Sequence, residues 1–310
     1  MQEFQNLRLD RNVECRGGLV HALPRAAAAT SFAFGEHTTF AATSFDLAHS
    51  FYVTGDLHRR RTARGHRLIR RGYVPVFDPF EVLTTTEALV EVGTAMFEGP
   101  TEPRPTTVML FTESRARPHF RGLAFPNSFA LWFDPGRPIS RRANLLIAHE
   151  VIHRWIGGTI TVRDEEGRNA EWFDEGFAVF FARRLLHRAG RLSRDAMREE
   201  IARDLEGARR HADEDPRRPA PVGQARDHLT PAYHHGALYA EYLDRQLRDD
   251  GHTRGVLGLV RDLIGEAKPR RIRPTVVPVS ELRRRLEGLL GAAGSDAFDA
   301  YAIHGDVPPL

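Results

Sequence analysis

The run Leu145-Leu146-Ile147-Ala148-His149-Glu150-Val151-Ile152-His153-Arg154-Trp155-Ile156 constrains this chain more than any other segment. Its apolar residues lie on nearly every side of a helix, so the helix is expected to be buried. Buried with it are two histidines and a glutamate, and a buried ionisable group without a partner is expensive. Positions four apart share a helical face, so both imidazoles can reach one point with Glu150 beside them. A divalent cation at that point supplies the missing partner. The chain is therefore expected to close around a metal there; the alternative is a pair of histidines hydrogen-bonded in a core.

A catalytic zinc ion takes three protein ligands and keeps a position for water. A third ligand is expected from the start of a helix downstream, and Trp172-Phe173-Asp174-Glu175-Gly176-Phe177-Ala178 offers Glu175. It is placed in a first turn, where carboxylates are favoured, among apolar neighbours. Glu171 and Asp174 compete for the role. Each is off the expected face, and Asp174 is better used as the helix N-cap.

The rest of the chain reads as α+β. Residues 1–77 are expected to be β-rich, with short runs at Ser31–Phe34, Thr38–Phe40 and Phe51–Thr54 broken by glycines. After Pro75 and Pro79 the period changes, and Phe80–Phe97 is predicted to be helical. Thr106–Phe111 and Phe129–Phe133 read as strands, the second closed by the turn signal Asp134-Pro135-Gly136. From Ser140, a helix cap, helices dominate. The first is expected to run to Ile156 and stop at Gly157-Gly158, and the second to run from Asp174 to Gly190. Ser193–His211, Tyr233–Arg248, Thr253–Ala267 and Val279–Leu290 follow. Residues 213–231 form a Pro-rich loop.

Composition excludes several classes. The chain of 310 residues is 41% hydrophobic and 27% charged, the balance of a globular protein and not of a disordered tail or fibre. No apolar run approaches the roughly 20 residues needed to span a bilayer, so no membrane partner is expected. The N-terminus shows no basic region followed by an apolar core, and the single Cys15 cannot form an internal disulfide; the reading is cytoplasmic. All but one of the 44 basic residues are arginine. The densest group, Arg59-Arg60-Arg61 with Arg64, Arg67, Arg70 and Arg71, reads as a solvated strand edge. No nucleic-acid partner is expected.

The segment His149–Trp155 with Gly157, followed by Trp172–Ala178, resembles the gluzincin metallopeptidases, of the aminopeptidase N and glycyl aminopeptidase types. Tyr233-His234-His235-Gly236-Ala237 is similar to a further motif of these families, Phe51–Leu57 to the strand closing their N-terminal β-domain, and Val279–Gly305 to the end of the catalytic domain. The resemblance implies a β-rich region 1–77, a thermolysin-like α/β zinc-binding subdomain 78–190 and a helical subdomain 191–310. It implies one zinc ion per chain on His149, His153 and Glu175, Glu150 as the general base, and Tyr233 as the donor to the tetrahedral intermediate. His234 and His235 stand close by for that last job, whereas Tyr239 and Tyr242 fit a packing face. The implied activity is hydrolysis of peptides or small peptide-like amides.

The chain departs from the family pattern in two places. The interval from His153 to Glu175 is longer than usual, and the polar stretch Arg163–Asn169 is expected to absorb the excess as an extended turn. Gly122-Leu123-Ala124-Phe125-Pro126-Asn127-Ser128 aligns with the strand that binds the substrate's α-amine, but Ala124 stands where those families carry a glutamate. Other readings therefore stay in view: a non-catalytic protein keeping the fold, a zinc hydrolase of a non-peptide bond, and an aminopeptidase with a different amine anchor.

Overall fold

The computed structural model describes residues 19–20, 28–30, 34–35, 41–42, 52–54, 56–99, 104–113, 121–214, 229–267 and 274–310. Cys15, the runs at 31–33 and 38–40, Phe51 and residues 215–228 of the Pro-rich stretch lie outside these. The fold is mixed α and β, and it divides into two compact units: Met1–Thr84 with Arg104–Ile139, and Thr85–Pro103 with Ser140–Leu310.

The first unit opens with five short strands, β1 (Leu19–Val20), β2 (Ala28–Thr30), β3 (Phe34–Gly35), β4 (Ala41–Ala42) and β5 (Tyr52–Thr54). β1 pairs with β4, and β2 lies between β3 and β5. The main sheet follows: β6 (His58–Arg61), β7 (Arg67–Gly72), β8 (Thr107–Thr112), β9 (Arg121–Phe125) and β10 (Ser128–Phe133), in the spatial order β6-β7-β8-β10-β9. β7, β8 and β10 run parallel and are joined antiparallel by β6 and β9 at the two edges.

Burial explains this order. β8 and β10 are buried at every position, as parallel strands covered on both faces must be. β6 is exposed throughout, so its arginines form a charged edge of the kind that discourages pairing with another chain. One face packs Ile69, Met109, Phe111, Ala130 and Trp132 around Val53, with the Phe111 and Trp132 rings stacked 5.0 Å apart. β9 turns into β10 through Pro126-Asn127, and Asn127 adopts the left-handed conformation (φ 53°) that asparagine tolerates.

Helix α1 (Pro79–Phe97) begins at the foreseen change of period, with Asp78 accepting from the Phe80 N–H at 2.9 Å. In the second unit, α2 (Arg141–Ile152) is capped by Ser140, whose hydroxyl accepts from the Ala143 N–H at 3.2 Å. α3 (Glu171–Arg188), α4 (Arg194–Glu214), α5 (Leu229–Asp249), α6 (Val256–Glu266), α7 (Val279–Leu290) and α8 (Ala292–Ala297) complete the helices, and a π-helical turn (Phe298–Ile303) ends the series.

Boundaries and pairings depart from expectation in several places, among them the start of α5 at Leu229, inside the stretch 213–231 expected as a loop. α2 ends at Ile152 and not Ile156, because its last turn tightens: Arg154 and Trp155 bond to carbonyls three residues back, and His153 becomes the C-cap. α3 starts at Glu171 behind Ala170, which supplies no side-chain cap. Asp174 is therefore inside the helix and not its N-cap, and Glu175 belongs to the second turn and not the first. Two strands, β11 (Ile160–Arg163) and β12 (Thr275–Pro278), pair parallel across more than a hundred residues of sequence. The stretch after β11 does form a turn, closed by the Gly167 N–H on the Asp164 carbonyl and by Arg163 bridging to Asn169.

Candidate metal centre

α2 brings His149 and Glu150 into the core on its buried face, and His153 follows one turn later at the C-cap, still in helical conformation. α3 packs against α2 and sets Glu175 opposite the two imidazoles. The Nε2 atoms of His149 and His153 are 3.1 Å apart, and the Glu175 Oε2 lies 3.1 Å from the first and 3.6 Å from the second. Among the described residues these three side chains form the group able to hold a metal ion, with candidate ligand atoms all within 4.8 Å of one another.

The spacing fits a tetrahedral zinc ion. Ligand bonds of about 2.0–2.1 Å at tetrahedral angles put neighbouring ligand atoms roughly 3.3 Å apart. The three measured separations bracket that value. The tautomer fits too: His153 Nδ1 sits 3.1 Å from the Ile156 carbonyl, which can only accept, so Nδ1 carries the proton and Nε2 turns its lone pair to the cluster. The tightened last turn of α2 is what delivers that carbonyl.

The electrostatics belong to a site built for positive charge. Burial works against a charged His153, but the Glu175 carboxylate outweighs it and raises the imidazole to about 10. Burial likewise opposes the Glu175 carboxylate, yet the two histidines hold it well below its ordinary range. Glu150 is buried at 5% exposure, with Oε2 making no hydrogen bond, and burial raises its carboxyl even against the neighbouring imidazoles.

Tyr233 enters from α5. Its ring stacks on His149, with centroids 5.5 Å apart and planes at 25°. Burial raises its phenol strongly, helped by the Glu175 carboxylate, so the hydroxyl stays a donor. His234 and His235 do not share this position. The His234 ring is bonded to Asp204 on α4, and His235 is buried at 3% exposure. Tyr239 packs against Trp172, Phe177 and Phe298, and Tyr242 against Tyr301, as packing residues would.

Two glycines make the approach of α5 possible. A methyl group built on Gly176, next to Glu175, would overlap the backbone of Gly236, and one on Gly236 would overlap the Trp172 carbonyl. With no side chain at either position the two helices meet backbone to backbone, and Glu175 and Tyr233 end on the same side of the crossing. Asp174 turns the other way and accepts from the buried Thr161 hydroxyl of β11 at 2.6 Å; burial pushes its carboxyl up to about 7. Glu171 stays at the start of α3, outside the cluster. Ala124 occupies the edge strand β9, paired with Phe129.

Residues 121–259 match the description "Peptidase family M1 domain". No curated protein matches the chain in sequence. Among solved structures, an aminopeptidase N family protein from Idiomarina loihiensis is similar with a TM-score of 0.68 at 19% identity, over 92% of this chain and 54% of that one. A variant M1 zinc metallopeptidase from Deinococcus radiodurans, bound to a Tyr-Ser-Ala substrate, is similar at 0.61 and 17%, over 93% and 64%. Yeast LTA4 hydrolase in complex with bestatin is similar at 0.64 and 14%, over 92% and 46%. The chain thus spans less than two thirds of each of these proteins. Over residues 121–259 the chain is similar to the peptidase family M1 domain, and it shares the fold of aminopeptidase N family and M1 zinc metallopeptidase structures.

Proposed function

We propose that this chain is a zinc-dependent metallopeptidase that hydrolyses peptide or peptide-like amide bonds. The observation that carries the reading is the convergence of His149 Nε2, His153 Nε2 and Glu175 Oε2 at separations of 3.1, 3.1 and 3.6 Å, with a buried carboxylate and a phenol beside them. These three residues would hold one zinc ion. Bound there, the ion supplies a Lewis acid that polarises the scissile carbonyl and makes water acidic near neutral pH.

The remaining chemistry belongs to the chain. Glu150, with its unbonded Oε2, accepts the proton of the attacking water and passes it to the leaving amine. Its burial keeps proton affinity higher than that of a solvated carboxylate, which suits a group that must both take and give. Tyr233 donates from its hydroxyl to the oxygen of the carbonyl as negative charge builds there, a contact worth most in the transition state. We read the metal-bearing unit as thermolysin-like on the strength of the two-histidine helix followed by a glutamate-bearing one.

A second feature bears on the substrate. An α-ammonium group in a partly desolvated groove needs an opposed charge, and the sequence has Ala124 at the position that aligns with the amine-binding glutamate of the resembling families. The reading is therefore of an enzyme with little preference for a free N-terminus. No helix among the described residues is long and apolar enough to cross a membrane.

The test is hydrolysis of a mixed peptide pool by zinc-loaded protein and by Glu150→Gln. Cleavage of internal and capped amides that disappears in the variant supports the reading. Cleavage of esters with no cleavage of amides would assign the same site to a non-peptide bond.

A further inference from the structure

Tyr233 reaches His149 only if the first turns of α5 hold a particular rotation, and the neighbouring residue shows how that rotation is set. His234 Nδ1 donates to the Asp204 carboxylate of α4 at 2.9 Å. The same carboxylate accepts from the guanidinium of Arg183, a buried residue of α3 at 2% exposure. Asp204 is buried at 8%, so its charge is offset inside the protein and not by solvent. Arg183 lies two helical turns beyond Glu175. One helix therefore carries both the candidate metal ligand and the cation that anchors the Asp204–His234 pair.

A second observation supports the pairing. The His234 ring lies over Gly207, where an added methyl group would come within 2.7 Å of Nε2. Asp204 and Gly207 are three apart on α4 and share a face. Together they form a slot, with the carboxylate at one end and a bare backbone beneath the ring. Glycine costs a helix interior about 1 kcal/mol relative to alanine, so its presence here has a use in the packing.

We propose that Asp204 and His234 are positioning residues that lock the rotation of α5 and so hold the Tyr233 hydroxyl where the oxyanion forms. The proposal rests on the reading of Tyr233 as the oxyanion donor. Adjacent helix residues project about 100° apart, so a ring clamped at 234 fixes the direction of the side chain at 233. A misplacement of about 1 Å in such a group costs on the order of a hundredfold in rate at worst.

The experiment uses His234→Leu, which removes the donor, and His234→Asn, which keeps an N–H near the same place. Each is made alone and together with Tyr233→Phe. Asp204→Asn would also weaken the ion pair of the buried Arg183, so it does not isolate the His234 contact. His234→Leu is expected to lower kcat about tenfold at unchanged KM and unchanged zinc content, with His234→Asn restoring most of the rate. Combined with Tyr233→Phe, His234→Leu is expected to cost nothing further, because both changes remove the same contact. A crystal structure of His234→Leu is expected to show the Tyr233 ring displaced from its stack on His149. An unchanged kcat, an equal loss in the Tyr233→Phe background, or a Tyr233 ring still stacked in His234→Leu would overturn the proposal. The ring position needs no turnover, so an inactive wild-type protein would defeat the peptidase reading while the structure still decides this one.

Discussion

Gly176 and Gly236 face each other across the crossing of α3 and α5, so closely that a methyl group on either would overlap the backbone of the other helix. This contact sets the spacing between Glu175 and Tyr233. Interiors at native packing density have no slack to absorb an added carbon where the neighbour is backbone. Gly236→Ala is expected to destabilise the protein by about 1–3 kcal/mol or more, in spite of the better helix propensity of alanine. Thermal unfolding measures the loss. An unchanged melting temperature would show that the crossing relaxes freely.

Glu150→Gln preserves shape and removes the acceptor for the proton. Its zinc content is expected to equal that of the unaltered chain, while turnover falls by roughly 10²–10⁴. His149→Ala and Glu175→Ala are expected to do the reverse and lose the metal. Elemental analysis beside an amide assay separates the two kinds of variant. A Glu150→Gln protein that kept most of its rate would remove Glu150 from the mechanism.

The helix that carries His149 and His153 was legible in the sequence because its signal is local. A four-residue spacing inside an apolar run fixes which side chains share a face, whatever packs against it. Glu175 is expected from a place in the first turn of the next helix; it does stand beside His149, but α3 begins at Glu171, which puts Glu175 in the second turn and leaves Asp174 without its expected capping role. Ala170 carries no capping side chain, so nothing in the sequence marks that start. The β11–β12 pair was not legible. Each strand is four residues long, and the pairing is set by tertiary contacts between distant segments. The Asp204–His234 contact was hidden likewise: His234 was visible only as a neighbour of Tyr233, and the helix that supplies its partner is joined to it by packing alone.

Thr161 donates to Asp174 in the core at 2.6 Å, and the other carboxyl oxygen of Asp174 makes no hydrogen bond. Thr161→Val keeps the shape and leaves both oxygens without a partner. Stability is expected to fall by about 1–3 kcal/mol, the cost of an unsatisfied buried polar group. Denaturant unfolding checks this, and a variant as stable as the original would show that Asp174 finds another donor.

Ala124 gives a prediction about substrate choice. One peptide offered with a free and with an acetylated N-terminus is expected to be cut at similar rates. Strong cleavage of the free peptide alone by the unaltered chain would mean that another carboxylate anchors the amine, with Glu171 the first to examine.

The most direct test is the zinc stoichiometry of the purified chain and of Glu175→Ala, measured after dialysis against zinc and removal of the excess. The geometry of His149, His153 and Glu175 predicts one zinc ion per chain, lost to a chelator together with activity, and a strongly reduced content in the variant. A chain that stays free of zinc, or a Glu175→Ala variant that binds it as tightly as the original, would contradict the assignment of this site.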